Sequence, residues 1–459
     1  MGDALNRGPR REEPPDRSPR STRRRNLVIE TAAGLFQQSG YRRTSMNDIA
    51  AELGFTKAAL YYYFDSKGAL LEAIALSIGA ELRDGIPPPD EESPSVRLRH
   101  FAEHHVSVIA DRRALFSVSM LERAELGEGG RARVTEGERQ YLQQVMEIIS
   151  RLPPRPPDVP DGQLVAAHAL VAMLNSPAEW YRPGRLTPTE VAATLVDVFR
   201  NGIGRPGAAS AVTASDPRTS QPAPIPAPVN PAPVDMAAEG KSRRGRWDDL
   251  LSVSLDVFHE RGYHSTTLQH LADALGVTKP ALYYYVDSKA DLLDAVVTRS
   301  LDPLVETLKW SAATTDDGWE RLRLQVRLTV QHLHRERVAF WVFLHSGAYV
   351  DDRVGQRIAD ASRRFVALLQ ETFDAGREQG VFRDDIDPVV LSRALAGMLK
   401  ATVRWFRPSR AFSPATLAEL LCQLTLHGCC EPEDRVIDLS DRRPTSTVTL
   451  GRPDVGWQP

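Results

Sequence analysis

A chain of 459 residues, 42% hydrophobic and 25% charged, is long enough for two or three domains, each with its own core. Its formal charge of -3, from 57 Lys and Arg against 60 Asp and Glu, excludes a globally basic protein, so any surface for nucleic acid has to be local. Only 3 cysteines (Cys422, Cys429, Cys430), no apolar run near the length of a membrane span and no charged-then-apolar start exclude a disulfide framework and leave neither membrane nor secretion signal, so a cytoplasmic protein with reduced thiols is expected.

Residues 1–22, rich in Pro, Arg and Glu and without periodicity, read as a disordered basic arm. Ile29, Ala32, Ala33 and Phe36 then recur at helical spacing up to Ser39-Gly40, where Gly favours a helix end. Thr44 is expected to cap a second helix with Met46, Ile49, Ala50 and Leu53 on its inner face. Gly54 ends that helix and Thr56 caps a third, from Lys57 to Phe64, so two short helices meet at a tight turn. Leu60 and Phe64 are its inward residues, whereas Tyr61, Tyr62 and Tyr63 are too many phenols for one short helix to bury. Such rings suit a DNA groove, where hydroxyls reach phosphates or base edges, with Lys57 and Lys67 adding charge. Lys67 follows Asp-Ser at the start of the next helix, a place where free amides and an ammonium together suit a phosphate.

Helical patterns follow over 94–125, 132–151, 163–176 and 188–202. His100 and His104 stand at metal-ligand spacing, but no third ligand is identifiable, so no metal and no cofactor are expected. Arg205 to Gly240 is Pro-Ala-rich and nearly uncharged, which marks a linker of roughly 30 to 35 Å as a flexible coil. Then the chain repeats itself: Gly40–Lys67 recurs as Gly262–Lys289 with 16 of 28 residues identical and no gap. Thr266 with Gln269 gives the second copy a capping box that Asn47 weakens in the first. Thr278 caps the third helix again, Leu282 and Val286 face inward, and Lys279, Tyr283, Tyr284, Tyr285 and Lys289 repeat the outward set. Further helical patterns cover 318–348, 353–379, 388–402 and 414–427. Trp180-Tyr181-Arg182-Pro183 returns as Trp405-Phe406-Arg407-Pro408, so the duplication embraces whole units.

The stretch Gly-Phe-Thr-Lys-Ala-Ala-Leu-Tyr-Tyr-Tyr-Phe-Asp-Ser-Lys and its twin Gly-Val-Thr-Lys-Pro-Ala-Leu-Tyr-Tyr-Tyr-Val-Asp-Ser-Lys resemble the DNA-binding head of the TetR-type transcriptional regulators. The resemblance implies an all-α fold of two TetR-like units, each a three-helix head on a larger helical body. Its expected divisions are an arm 1–22, head 23–74, body 75–203, linker 204–241, head 242–296, body 297–430 and a disordered tail 431–459. It implies that Asn47, Lys57, Ala59, Tyr61 and Tyr62, with Gln269, Lys279, Ala281, Tyr283 and Tyr284, reach bases or nearby phosphates.

The resemblance also implies that the closing helices of the two units pair, through Val191, Leu195 and Val198 and through Leu417, Leu421 and Leu424. The partners expected are an operator in double-stranded DNA and a small apolar effector; a chain pairing with itself is weighed against a homodimer of chains. Effector-lining candidates are Phe101, Phe116, Met120, Met146 and Trp180 in one body, and Phe340, Trp341, Phe343, Phe365 and Trp405 in the other. The Trp-aromatic-Arg-Pro segments resemble those of members that answer to fatty-acyl-CoA; the competing reading is that Arg182 and Arg407 cap helix ends. No phosphate loop, Ser-His-acid set or carboxylate pair suggests an enzyme. The expected function is a ligand-released repressor working as a single-chain pseudo-dimer on an imperfect inverted repeat, the alternative being an architectural or protein-interaction module without a sensor.

Overall fold

The computed structural model describes residues 19–88, 92–152, 162–205, 241–263, 265–346, 352–409 and 412–429; the rest of the expected arm, almost all of the linker, Cys430 and the expected tail lie outside these residues. Among the described residues the regular elements are helical, apart from one isolated antiparallel bridge between Gly204 and Phe382. Unit 1 comprises α1 (Pro19–Ser39), α2 (Met46–Glu52), α3 (Lys57–Tyr61), α4 (Lys67–Asp84), α5 (Pro94–Asp111), α6 (Arg113–Leu121), a 3-10 turn (Arg123–Glu125), α7 (Glu128–Ser150), α8 (Gly162–Asn175), α9 (Pro177–Trp180) and α10 (Pro188–Asn201). Unit 2 comprises α11 (Lys241–Arg261), α12 (Leu268–Leu275), α13 (Lys279–Tyr283), α14 (Lys289–Thr314), α15 (Gly318–Arg335), α16 (Arg337–Ser346), α17 (Asp352–Glu378), α18 (Pro388–Trp405) and α19 (Pro414–His427).

Three differences from the periodicity have physical sense. The helix expected over 94–125 breaks at Arg112 (φ -109, ψ 31), and that over 318–348 breaks at Glu336 (φ -97, ψ 23). These breaks re-aim the chain, so that α6 packs on α1 and α16 packs on α11, tying each body to its head. Unit 1 also starts a new helix at Pro177, where unit 2 has Thr402 and α18 runs on, because a proline cannot donate to the preceding turn. Finally, α4 and α14 pass without interruption from head to body, across the expected divisions at 74 and 296.

The units meet through α8 and α10 against α18 and α19. Val191, Leu195, Leu417 and Leu421 of the expected stripes are fully buried, and Val198 and Leu424 nearly so. Each closing helix packs chiefly on its own unit, α10 on α5 and α19 on α15, and shares its remaining face with the other unit. Where α8 crosses α18, a Cβ on Gly397 would stand 2.8 Å from the Ser176 Cβ, so the glycine permits the approach. Ring contacts straddle the boundary in related positions, with Trp405 stacked on His168 at 4.3 Å and the Arg393 guanidinium 5.6 Å over Trp180. Arg383 and Asp197 form an ion pair at 2.6 Å with both side chains 15% exposed, and Arg185 with Asp387 (2.9 Å) and Lys400 with Glu179 (2.5 Å) add more exposed pairs.

Beyond α10 and α19 the ends of the two units interlock. The Ile203 N–H donates to the Thr425 carbonyl at 3.0 Å, and the Cys429 N–H donates to the Phe199 carbonyl at 2.9 Å. These two bonds exchange places under the repeat, as in a two-fold, self-complementary contact. Each also satisfies a last-turn carbonyl that a helix end leaves open. Gly202 (φ 65) and Gly428 (φ 74) sit at the crossing, and a Cβ on either would fall 2.4 Å from Leu426 O or 2.2 Å from Arg200 O. Gly202→Ala therefore combines backbone strain with a clash and should cost about 2 to 4 kcal/mol of stability. Urea denaturation checks this, and an unchanged midpoint contradicts the interlock.

Candidate nucleic-acid interface

Each head is built on a turn that the sequence places one residue wrongly. Thr44 and Thr266, expected as caps and as DNA-contacting residues, are buried, because their hydroxyls donate to the Gly40 carbonyl (2.7 Å) and the Gly262 carbonyl (2.9 Å). The caps are instead Ser45, which accepts from the Asp48 N–H, and Thr267, which accepts from the His270 N–H, both at 3.2 Å. Asp48 and His270 return the bond to the cap N–H, so both copies have capping boxes and Asn47 and Gln269 are not part of them. Asn47 is thereby left exposed, while the exposed Gln269 donates to Asp273 at 2.7 Å.

Thr56 and Thr278 cap α3 and α13 by accepting from Ala59 N–H (3.2 Å) and Ala281 N–H (3.3 Å). Leu60, Phe64, Leu282 and Val286 anchor these short helices in the core. Opposite them, Tyr61 and Tyr62 are 39% and 57% exposed, and Tyr283 and Tyr284 are 47% and 67% exposed. Lys57 and Lys279 extend over the rings of Tyr61 and Tyr283, both at 5.9 Å, which groups charge and phenol on one face. Tyr63 and Tyr285 depart from the outward set. Both are half-buried, Tyr63 lying 6.4 Å from the Phe55 ring, so they pack rather than face a groove. Ala59 is half-buried and Ala281 exposed. In head 1 an open groove of about 380 Å³ runs between α2 and α3 past Arg42, Ser45, Asn47, Lys57 and Tyr61.

Lys67 and Lys289 have a different task from the free phosphate-facing charge expected of them. Lys67 Nζ donates to the Tyr41 (2.8 Å) and Thr44 (3.0 Å) carbonyls and lies 4.4 Å over the Tyr41 ring. Lys289 repeats this with Tyr263 (2.7 Å), Thr266 (2.8 Å) and the Tyr263 ring at 4.4 Å. An ammonium has three donors and no acceptor, so it closes a turn whose carbonyls would otherwise be open. Burial holds both pKa values below the usual lysine range. Arg42, outside the expected set, pairs with Glu125 at 2.7 Å and donates to Ser265 of the other head at 2.7 Å. The two heads thus touch at their α1–α2 and α11–α12 turns.

The expected effector residues fall mainly into packing. Phe101, Phe116, Phe340 and Phe365 are buried in the core, and Met146 and Phe343 pack against it. Trp180 donates to Ser176 at 3.2 Å and lies with Trp405 between the units, Met120 accepts from Arg404 across that boundary at 3.0 Å, and Trp341 meets His259 of head 2 edge-on at 6.1 Å. Arg182 donates to the Tyr181 carbonyl, and Arg407 to the Arg404 and Phe406 carbonyls, which is the helix-end role. The space left where Met173, Val198, Met398 and Leu424 meet is about 10 Å³, room for one water at most. His100 pairs with Glu92 (2.7 Å) and His104 with the Glu81 carbonyl (2.8 Å), so the two imidazoles do not converge.

Sequence reasoning missed His105 as the centre of the first body. It is buried, contacts the Tyr141 hydroxyl through Nδ1, and meets Asn175 Oδ1 through Nε2 at 2.9 Å. An acceptor at Nε2 requires the proton there, which leaves Nδ1 to accept from Tyr141. Burial pushes this imidazole down to about 4 and keeps it neutral.

Two family models match this chain, each twice. One described as bacterial regulatory proteins, tetR family, covers residues 28–74 and 250–296, and one described as tetracyclin repressor-like, C-terminal domain, covers 91–203 and 315–429. Among curated proteins, the HTH-type transcriptional repressor KstR2 of Rhodococcus jostii is 28% identical over 207 residues, 45% of this chain and 100% of its own. The HTH-type transcriptional activator FasR of Mycolicibacterium smegmatis is 30% identical over 150 residues, 31% of this chain and 67% of its own. Among solved structures, the regulator PfmR of Thermus thermophilus is 28% identical, covering 37% of this chain and 95% of its own at a TM-score of 0.33. AibR in complex with isovaleryl coenzyme A and operator DNA is 29% identical, covering 38% and 97% at a TM-score of 0.34.

Lys67→Ala opens the head turn and should lower stability by about 1 to 3 kcal/mol, while the salt dependence of DNA binding by the folded fraction stays as in the wild type. A salt slope smaller by one unit with full stability would return Lys67 to the phosphate. For His105 the folded pKa lies below the unfolded 6.5, so the unfolded chain binds the proton first and stability falls as pH drops from 6.5 toward 4. The full loss from this group is about 3 kcal/mol; urea midpoints from pH 8 to 5 should be level above 6.5 and decline below it.

Proposed function

The chain belongs to the TetR family of bacterial regulatory proteins, and we infer that this DNA-binding transcriptional regulator works as a single-chain pseudo-dimer. In this reading the two units of one chain do what two subunits would otherwise do, and α3 and α13 enter successive major grooves on one face of the operator. The observation that carries it is that the two units meet in a self-complementary contact, Ile203 bonding Thr425 and Cys429 bonding Phe199. A covalent link of this kind keeps the second unit at high effective concentration, which favours pairing within a chain over pairing between chains.

Lys57, Tyr61 and Tyr62, with Lys279, Tyr283 and Tyr284, are the contacts the exposed faces support best; Asn47, Ala59, Gln269 and Ala281 flank them. Two half-sites follow that are similar but not identical. The exposed Asn47 offers its amide freely whereas Gln269 is held by Asp273, and Val277, 42% exposed in the turn before α13, stands where unit 1 has Phe55. A homodimer reads both halves with one set of side chains; a fused chain need not.

The output proposed is repression relieved by a small-molecule effector that binds a body. Connections for such a signal run through α4 and α14, which are continuous from head to body, through the packing of α6 on α1 and α16 on α11, and through the Arg42–Glu125 pair. Effector binding shifts the heads only by the difference in its affinity for the two arrangements.

A nuclease footprint on DNA flanking the protein's own gene, combined with light scattering of the complex, tests the reading. One inverted repeat held by one chain is expected; two chains per repeat would overturn the single-chain pseudo-dimer, and a protein that protects nothing would point to an interaction module. On the protected DNA, Tyr61→Ala and Tyr283→Ala should each weaken binding by about 1 to 3 kcal/mol. Retention of full affinity at moderate salt by either variant removes that tyrosine from the interface.

A further inference from the structure

Gln325 of α15 is completely buried, and among the described residues neither its amide oxygen nor its amide nitrogen has a hydrogen-bond partner. One turn on, Thr329 is equally buried and its hydroxyl also lacks a partner among the described residues. The two share one helix face with His332, whose Nε2 meets the Ser300 carbonyl of α14 at 2.6 Å. They therefore look into the interior of the second body. The small polar residues of α14 do not serve them: Thr307 donates to the Pro303 carbonyl, Ser311 to the Leu308 carbonyl, and Ser300 to Glu336.

At the same place in unit 1 the polar groups are satisfied. At the 224-residue offset Gln325 corresponds to Phe101 and Thr329 to His105, whose imidazole is satisfied on both sides by Tyr141 and Asn175. In unit 2 Phe365 replaces Tyr141 and brings no hydroxyl, and Lys400, at the offset of 225 that also relates Trp180 to Trp405, replaces Asn175 but turns its ammonium to Glu179 at 2.5 Å. Unit 2 has thus exchanged a phenyl ring and an imidazole for an amide and a hydroxyl, and has lost the groups that would bond them. Unpartnered buried amides are rare and destabilising, and a binding site is one of the few settings in which a protein keeps them.

We propose that the interior of the second body, at Gln325 and Thr329, is the effector site, and that the first body is closed by the His105–Tyr141–Asn175 network. An amide with one acceptor and two donors beside a hydroxyl, neither of them charged, fits an uncharged apolar molecule that carries a hydroxyl or carbonyl group. A polyanion such as a nucleotide thioester does not fit. The effector role rests on the regulator reading above, but binding to this site does not.

The test uses the full chain and no DNA, so its failure leaves the operator reading standing. Thermal melts are recorded with cyclohexanol, 1-octanol and 2-octanone, and with octanoate as the charged comparison. At least one neutral probe should raise Tm saturably, with one molecule per chain by calorimetry, and Gln325→Leu/Thr329→Val should abolish that shift. Without any probe, Gln325→Leu should raise Tm by about 2 to 4 °C, because it removes an unmet amide. Thr329→Val, nearly isosteric, should move Tm the same way and serves if the leucine does not pack. The proposal is overturned by lower Tm in Thr329→Val, by no saturable shift with any neutral probe, by a shift the double variant keeps, or by two equal sites per chain.

Discussion

The arrangement of the two heads depends on the interlock beyond α10 and α19, where Gly202 and Gly428 cross. Only backbone without a Cβ, in left-handed conformation, fits there, since either Cβ would fall inside the other strand's carbonyl group. The close approach lets each unit's end donate to the other's last helical turn, so the contact is satisfied only when both units are in place. α8 and α18 add an apolar crossing closed by Gly397, and the largely buried Arg383–Asp197 pair stands at the interlock, where Arg383 also donates to the Gly202 carbonyl. Because α10 and α19 also pack on α5 and α15 of their own bodies, the geometry fixed at the interlock is carried into both bodies.

From there it reaches the heads by two routes in each unit. A continuous helix, α4 or α14, supplies both the floor of the head and a wall of the body, and the break at Arg112 or Glu336 sends α6 or α16 against the first head helix. The lysine at the start of α4 or α14 then holds the turn that precedes α2 or α12 by its carbonyls. Recognition helices of five residues cannot be stable alone. Their stability is borrowed from Leu60 and Phe64, or Leu282 and Val286, and from caps that fix their first turn. The exposed tyrosines are therefore presented by a rigid frame to which they contribute little packing of their own.

Much of this was legible in the sequence, and the failures have a common cause. Periodicity placed the head helices and the stripes of α10 and α19, and the repeat announced two units, because burial of one helix face leaves a 3.6-residue signature. Side-chain hydrogen bonds to backbone leave none. Thr44 and Ser45 are equally good caps by composition, and only the Gly40 carbonyl, which Thr44 takes, decides between them. Lys67 at a helix start reads as a phosphate ligand until the Tyr41 and Thr44 carbonyls are seen above it. Trp180 and Trp405 carried a motif whose meaning depended on what lay opposite, and what lies opposite is the other unit.

Fusion changes what each half has to do. In a homodimer every substitution appears twice, so a body cannot give up a satisfied core without the other doing likewise, and a head cannot alter one half-site alone. In this chain the two bodies differ at this level of the fold: one keeps Phe101 and a neutral His105 bonded on both sides, and the other sets Gln325 and Thr329 without partners among the described residues. The first arrangement favours rigidity, since a buried network with all its bonds made resists rearrangement. The second carries unmet polar groups, a stability deficit that something binding there would remove. A regulator with one stiff half and one responsive half needs differential affinity in only one body, provided the seam transmits it to both heads. The reciprocal interlock is where such a signal would cross, because a shift of either unit's end breaks a bond made with the other.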